Sequence, residues 1–165
     1  MRAKGAVIAS VVLAIVSAFV SQYVGPVWSP MVFYAALFAT AIVGLEKGVI
    51  QPSSRMPIAC SGGMSYAGRY SRCWDANGHG SLDLAGAIQH SCDVYFYQLG
   101  IKIGLDRLLQ EATDIGFSRR CGIDLPEEKE GIFPANREFW QNRFGYMPNE
   151  GEVLSLAIGQ GPNSQ

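Results

Sequence analysis

The sequence has almost no net charge, and this limits the partners it can have. Its 13 Lys and Arg residues nearly balance 14 Asp and Glu residues, for a formal net charge of -1. A protein that binds nucleic acid through the phosphates needs a strongly basic field, and none is present here. The sequence also lacks the acidic run of a disordered tail. We therefore predict no nucleic-acid partner.

Charged residues are completely absent from one region near the N-terminus, between Lys4 and Glu46. Residues 5–24 are apolar or small at nearly every position, and about 20 such residues can cross a hydrocarbon core of roughly 30 Å. Arg2 and Lys4 precede the run, so the positive-inside rule keeps the N-terminus in the cytoplasm. The sequence therefore predicts a transmembrane anchor over residues 1–25 that exports the remaining chain.

Two alternatives concern this apolar region. A cleaved secretory signal would also have a basic start, and Val16-Ser17-Ala18 loosely fits a cleavage site. The apolar run exceeds the roughly 7–15 residues of a signal core, which favours an uncleaved anchor. A second apolar stretch, Met31–Ile50, fits either a second membrane span or a helix in a globular core.

The central part of the sequence has helical periodicity in three consecutive segments. Gly104 separates the second segment from the third, and Gly116 ends the third. Either Ser81 or Asp83 is a suitable N-cap for the first of them. The sequence thus predicts an α-rich centre, with helices over residues 83–90, 93–103 and 105–115.

The flanking segments have weaker patterns. Residues 51–80 are rich in Ser, Gly, Pro and Arg, which predicts loops and short strands. Residues 117–150 contain turn formers and the charged run EEKE, which we interpret as exposed loops. The apolar run Val153–Ile158 predicts a buried strand or the start of a helix.

Four cysteines allow two interpretations. In an exported protein, Cys60, Cys73, Cys92 and Cys121 could form two disulfides. Alternatively, Cys60, Cys73, His79 and Cys92, separated by 12, 5 and 12 residues, supply three thiolates and one imidazole, the ligand count of a structural zinc site. Glycines on both sides of His79 would let the backbone turn tightly there. The spacing alone leaves both interpretations open.

The segment Arg72–Leu108, RCWDANGHGSLDLAGAIQHSCDVYFYQLGIKIGLDRL, resembles the transpeptidase domain of class B penicillin-binding proteins of the elongation type, penicillin-binding protein 2. GLEKGVI at 44–50, CGIDLPEEKEG at 121–131 and GEVLSLAIGQGPNSQ at 151–165 extend the match in the family's order. The resemblance implies an α+β, penicillin-binding/β-lactamase-like transpeptidase fold, of which residues 26–165 form a central, incomplete part.

The family cross-links peptidoglycan, and the resemblance implies its chemistry. A serine in S-x-x-K attacks a D-Ala carbonyl of the stem peptide, or a β-lactam, and forms an acyl-enzyme. A second motif, S-x-N or S-x-D, helps to relay a proton, and Ser91 and Asp93 fall on it. K-T-G forms the other wall. The implied partners are the stem peptide, β-lactams, the membrane and other cell-wall elongation proteins.

The resemblance also implies a cofactor and a location. Elongation-type members carry a zinc site beside the second motif, and Cys60, Cys73, His79 and Cys92 fall on its positions. We therefore predict a structural zinc with no open coordination position. With the predicted anchor, the chain would be a single-pass protein of the inner (cytoplasmic) membrane, with its soluble part on the outer, periplasmic side.

The sequence departs from the family at the nucleophile. Its lysines lie at positions 4, 47, 102 and 129, and none follows a serine by three residues. The family's serine and lysine would fall near Tyr34 and Leu37, which favours a core helix for Met31–Ile50. The chain also stops after GQGPNSQ, before K-T-G would be reached.

We therefore expect the chain alone neither to react with penicillin nor to form cross-links. One alternative is a non-catalytic, membrane-anchored, zinc-stapled module that binds a cell-wall synthesis partner. Another is a small exported disulfide protein without a link to the cell wall.

Overall fold

The computed structural model describes residues 29–117, 119–120 and 133–160. Its helices and strands are α1 (Ser29–Glu46), β1 (Gly63–Tyr66), β2 (Arg69–Arg72), α2 (Leu84–Gln89), α3 (Asp93–Ile103), α4 (Leu105–Asp114), α5 (Arg137–Phe144) and α6 (Glu152–Ala157). Strands β1 and β2 form an antiparallel hairpin in which Gly63 pairs with Arg72. The predicted anchor over residues 1–25 and Cys121 lie outside the described residues. Within them, helices α2, α3 and α4 confirm the predicted α-rich centre.

Helix α3 is the centre of the core because it is apolar on nearly every side. Val94, Phe96 and Leu99 have 0% of their surface exposed. The helix packs against α1, α4, α6 and the β1–β2 hairpin. Tyr95 and Tyr97 are buried as well, so the aromatic run at 95–97 belongs to the core.

Helix α3 approaches α6 closely at a glycine. A Cβ atom on Gly100 would lie 2.8 Å from Ala157 Cβ and 3.2 Å from the Val153 carbonyl oxygen. Helix propensity alone favours alanine over glycine by about 1 kcal/mol. The packing therefore requires a residue that the helix itself disfavours.

Gly100→Ala is accordingly expected to lower the free energy of unfolding by about 1–3 kcal/mol, because the added methyl group overpacks the α3–α6 contact. Urea denaturation of the variant and of Gly86→Ala measures this. The control position is also in a short helix, but there the added Cβ would have only side-chain contacts, at 3.3 Å or more. A stabilised Gly100→Ala would contradict the α3–α6 packing.

Helix α1 belongs to this core too. Leu37 and Val43 are 2% exposed, and the Thr40 hydroxyl donates a hydrogen bond to the Ala157 carbonyl oxygen at 3.0 Å. The structure thus supports the core-helix interpretation of the second apolar stretch. Among the described residues, no helix has both the length and the apolar character needed to span a bilayer.

The prediction of loops throughout residues 117–150 was wrong where α5 forms. Asn136 caps this helix, since its side-chain oxygen accepts a hydrogen bond from Phe139 N at 2.7 Å. Gly145 ends it in the left-handed conformation. Trp140 is fully buried and anchors the helix on the core. The apolar run at 153–158 forms helix α6 and its C-cap, the second of the two predicted alternatives.

Polar side chains of α3 hold the irregular segment before α2. The Gln98 side chain accepts a hydrogen bond from Ile58 N (2.9 Å) and donates one to Ile58 O (2.8 Å), as a neighbouring strand would. The hydroxyl of Tyr97 donates to the Arg72 carbonyl at 2.8 Å. These bonds satisfy backbone groups of a segment with little regular structure, and so they fix it against the core.

Candidate functional site

Two predicted ligands, Cys60 and His79, are brought together by an isolated antiparallel bridge. Cys60 N donates to Gly80 O at 2.8 Å, and Gly80 N donates to Cys60 O at 2.9 Å. His79 is flanked by Gly78 (φ 78°) and Gly80 (φ 70°), both in the left-handed region. At Gly78 a Cβ atom would lie 2.2 Å from the Cys60 carbonyl oxygen. The two glycines therefore make the predicted tight turn around His79.

Cys73 is placed by the β1–β2 hairpin. It directly follows β2, and its N–H donates to the Gly62 carbonyl at 2.9 Å, which continues the ladder past the strands. Gly62 has φ 95°, and a Cβ atom there would lie 2.2 Å from the Ala76 carbonyl oxygen. The hairpin thereby points the Cys73 thiol toward His79, beside the Cys60–Gly80 bridge.

Cys92 comes from the first turn of α3. It is the N-cap residue of this helix, but its side chain makes no capping hydrogen bond. Ser, Thr, Asp or Asn would satisfy an orphan helix N–H at this position, and cysteine does so poorly. The sulfur instead joins the cluster formed by the other three residues. The helix therefore lacks a side-chain capping hydrogen bond at its N-terminus, and the Cys92 sulfur contacts the cluster instead.

The four ligand atoms lie within 4.8 Å of one another. His79 Nδ1 is 3.7 Å from Cys60 Sγ and 3.5 Å from Cys73 Sγ. A tetrahedral zinc with Zn–S of about 2.3 Å and Zn–N of about 2.0 Å would place sulfur and nitrogen about 3.5 Å apart. The donor set and spacing therefore fit a closed zinc site. Cys60, Cys73 and Cys92 are free thiols, which contradicts the two-disulfide interpretation.

Burial disfavours the charged form of the Cys73 and Cys92 thiols in the absence of a cation. Burial raises the pKa of the Cys92 thiol well above its ordinary value, and the neighbouring Cys60 adds to this. It raises the pKa of Cys73 as well. A divalent cation would reverse this preference, since a coordinating thiol gives up its proton. Without a cation the cluster therefore favours protonated thiols, whereas a bound metal would favour thiolates.

The predicted second-motif serine has an unusual backbone conformation. Ser91 follows the C-cap of α2 with φ 47°, in the left-handed region. Ser91 N donates to Ile88 O at 3.1 Å and Cys92 N donates to Ala87 O at 2.9 Å, which is the Schellman pattern that ends many helices. Glycine usually occupies this position, and another residue costs about 1–2 kcal/mol. Such strain often accompanies function.

Ser91→Gly is therefore expected to leave the chain as stable as the parent or up to about 1 kcal/mol more stable, because relief of the left-handed strain exceeds the entropy cost of glycine. Ser71→Gly, in the middle of β2, is the matched control and should lose about 0.5–1 kcal/mol. Urea denaturation decides between them. Equal losses at both positions would show that Ser91 is not strained.

The third residue of the predicted motif, Asp93, faces the hairpin that carries Cys73. Its side chain is 4% exposed, and Oδ2 accepts a hydrogen bond from Trp74 N at 2.9 Å. Oδ1 is buried without a partner among the described residues, as is His79 Nε2. Burial raises the pKa of this carboxyl group, although the Trp74 N–H works against the shift. Asp93 thus supports the ligand-bearing loop.

Sequence reasoning missed Trp74. Its indole N–H donates to the carbonyl oxygens of His90 (2.9 Å) and Ser91 (3.1 Å), although 64% of the residue is exposed. The signal available was its position directly after a predicted ligand, Cys73.

At the predicted place of the nucleophilic pair, the structure has the buried apolar side chain of Leu37.

Comparison with known proteins shows the family to which the chain belongs. The family model described as the penicillin binding protein transpeptidase domain matches residues 38–164. The chain belongs to the penicillin-binding protein transpeptidase family. The peptidoglycan D,D-transpeptidase MrdA of Salmonella typhimurium is 34% identical over 122 residues, which are 73% of this chain and 19% of that protein. The chain thus spans about a fifth of the curated relative's length.

Solved structures of the family share the fold. Pseudomonas aeruginosa PBP2, in complex with WCK 5153, is 34% identical with a TM-score of 0.68 over 76% of this chain and 28% of that chain. Helicobacter pylori PBP2, in complex with MreC, is 31% identical with a TM-score of 0.68 over 76% and 23%. The comparisons confirm the PBP2 type of class B penicillin-binding protein and the transpeptidase fold.

Proposed function

We propose that the chain supplies the central part of a peptidoglycan D,D-transpeptidase domain in which a structural zinc holds the second active-site motif. The observation that carries this proposal is the position of Cys92. It contributes its sulfur to a group of four ligand atoms that lie within 4.8 Å, and its chain neighbours are the motif residues Ser91 and Asp93. A change in the metal centre would therefore move the motif directly.

When bound, zinc would supply charge and fixed geometry, with no open position for substrate or water because four protein ligands close the site. Cys60, Cys73 and His79 would fix the hairpin and the bridge, and Cys92 would fix the start of α3. Ser91 would then present its hydroxyl toward the stem peptide or a β-lactam. Ser91 is 9% exposed, and its hydroxyl makes no hydrogen bond within the described part of the chain, so no internal partner competes with proton relay.

The proposal keeps the predicted setting of the chain. Residues 1–25 would anchor it in the inner membrane, and the domain would lie on the periplasmic side, where peptidoglycan is cross-linked. The PBP2–MreC complex of H. pylori supports a cell-wall elongation protein as the partner class.

The 165 residues lack the S-x-x-K serine and lysine that carry out the first step of the family reaction. No lysine follows a serine by three positions, and the Leu37 side chain, 2% exposed in the core, carries no group that transfers protons. Loss of a covalent nucleophile alone costs several orders of magnitude in rate. The proposed role of the chain is thus to supply the second wall of the site, without acylation by its own residues.

Incubation of the 165-residue chain with fluorescent penicillin is therefore expected to give no covalent band on a denaturing gel. A full-length relative such as P. aeruginosa PBP2, labelled in the same gel, is the positive control. A band on this chain that unlabelled penicillin abolishes would reveal a nucleophile outside S-x-x-K and would contradict the assignment.

The missing S-x-x-K also favours a second candidate, the non-catalytic zinc-stapled module that binds a cell-wall synthesis partner. Co-purification with an elongation protein of the MreC type, lost when Cys92 is replaced, would support it. A chain that folds and binds zinc but captures no such partner would argue against it.

A further inference from the structure

Trp74 combines high exposure with a fixed side chain. Although 64% of the residue is exposed, its indole N–H is held between two carbonyl oxygens, those of His90 at 2.9 Å and Ser91 at 3.1 Å. Burial of apolar surface therefore does not explain why tryptophan occupies position 74. Its two N–H groups each reach the second motif or the residue before it, and its ring makes a tilted contact with the ring of His79, with 5.1 Å between the centroids.

The second N–H group is the backbone amide of Trp74, which donates to Asp93 Oδ2 at 2.9 Å. One residue thus holds the chain on both sides of Cys92, through the carbonyls before it and the carboxylate after it. Trp74 is also covalently joined to Cys73, another cluster residue. It therefore links the hairpin half of the cluster to the helix half by three hydrogen bonds.

The carbonyls that the indole binds belong to the strained turn. Helix α2 leaves its last carbonyl groups without intrahelical partners, as every helix does. The indole satisfies the carbonyl of the C-cap residue His90 and also that of Ser91, the residue after the cap. Ser91 has a φ of 47° that serine rarely adopts. Such a conformation persists only where the surroundings determine it. Trp74 supplies a contact from outside the turn that can do so.

We propose that Trp74 is a positioning residue that holds Ser91 in its left-handed conformation and so couples the Cys60–Cys73–His79–Cys92 cluster to the second motif. The inference rests on the proposed function in assigning Ser91 as the motif serine. It concerns the backbone of the turn, so it can be tested whether or not metal is bound. Trp74 acts through Ser91 and does not itself take part in the reaction.

A double-mutant cycle read by hydrogen exchange tests this coupling. The probe is the amide of Cys92, which donates to Ala87 O and closes the turn. Trp74→Phe keeps an aromatic ring and removes the indole N–H. We expect it to raise the exchange rate of this amide about tenfold or more in the parent chain, and less than about threefold in the Ser91→Gly background, because glycine needs no support to stay left-handed.

A rate increase that is equal in both backgrounds, or none in the parent, would overturn the inference. Should Trp74→Phe fail to fold, 3-benzothienylalanine at position 74 removes the N–H and preserves the shape of the ring system. Zinc content measured on the same samples separates the two proposals. Coupling without zinc would uphold the role of Trp74 and contradict the metal centre, whereas zinc without coupling would overturn the role of Trp74 alone.

Discussion

Cys92→Ala is expected to abolish tight zinc binding and to lower the free energy of unfolding by at least about 3 kcal/mol. Structural zinc contributes about 10–16 kcal/mol to the folding of small peptides at pH 7, and here it would stabilise a segment, residues 51–80, that has only a short hairpin of its own. Cys92 is 1% exposed, so part of the loss comes from packing. Urea denaturation and metal analysis of the purified variant measure both effects.

Two controls separate the metal from the packing. Cys121→Ala removes the cysteine that the zinc site does not use, and it should retain zinc. Treatment of the parent chain with a strong chelator should bring its unfolding midpoint toward that of Cys92→Ala. If the chelator leaves the parent unchanged while Cys92→Ala is destabilised, the sulfur acts by packing and the metal assignment is wrong.

Gly78→Ala is expected to have an effect of similar size from a position that contributes no ligand. A Cβ atom at Gly78 would lie 2.2 Å from the Cys60 carbonyl oxygen and 2.6 Å from Ser61 Cα, and both neighbours are backbone atoms that cannot move aside. The Cys60–Gly80 bridge would have to open, and His79 would leave the cluster. We expect a loss of about 3 kcal/mol or more together with loss of zinc.

The matched control is Gly80→Ala on the other side of His79. It has a similar φ, 70° against 78°, but a Cβ atom there would have no heavy atom within 4 Å. Only the left-handed strain of about 1–2 kcal/mol applies, and zinc should remain bound. Thermal unfolding with metal analysis compares the two variants. Equal behaviour of both would show that the close approach at Gly78 does not hold the ligands.

Much of the site could be predicted from residue types, spacing and the family resemblance together. Cysteines and a glycine-flanked histidine left a zinc cluster and two disulfides open, and the resemblance to penicillin-binding proteins favoured the cluster and placed the second motif at Ser91 and Asp93. Helical periodicity gave α2 and α4, because each has an apolar face that its sequence spacing displays. It also gave α3, through Val94, Tyr97 and Ile101, although that helix is buried on nearly every side. These features depend on local pattern, which a sequence shows directly.

What the sequence could not show depends on contacts between distant segments. The indole N–H of Trp74 donates hydrogen bonds to carbonyls 16 and 17 residues away. Sequence periodicity does not indicate a hydrogen bond of this kind. The left-handed turn at Ser91 was missed because serine there gives no glycine signal. Helix α5 was missed for a different reason, since the charged and polar residues around it resembled a loop while Asn136 and Gly145 carried the cap signals.

The most direct test of the account is zinc content combined with X-ray absorption spectroscopy at the zinc edge on the purified 165-residue chain. The account predicts about one zinc per chain, coordinated by three sulfur atoms and one nitrogen, as the cluster of Cys60, Cys73, His79 and Cys92 requires. Folded protein that contains no zinc and takes none up when it is supplied, with thiols that react freely, would contradict it.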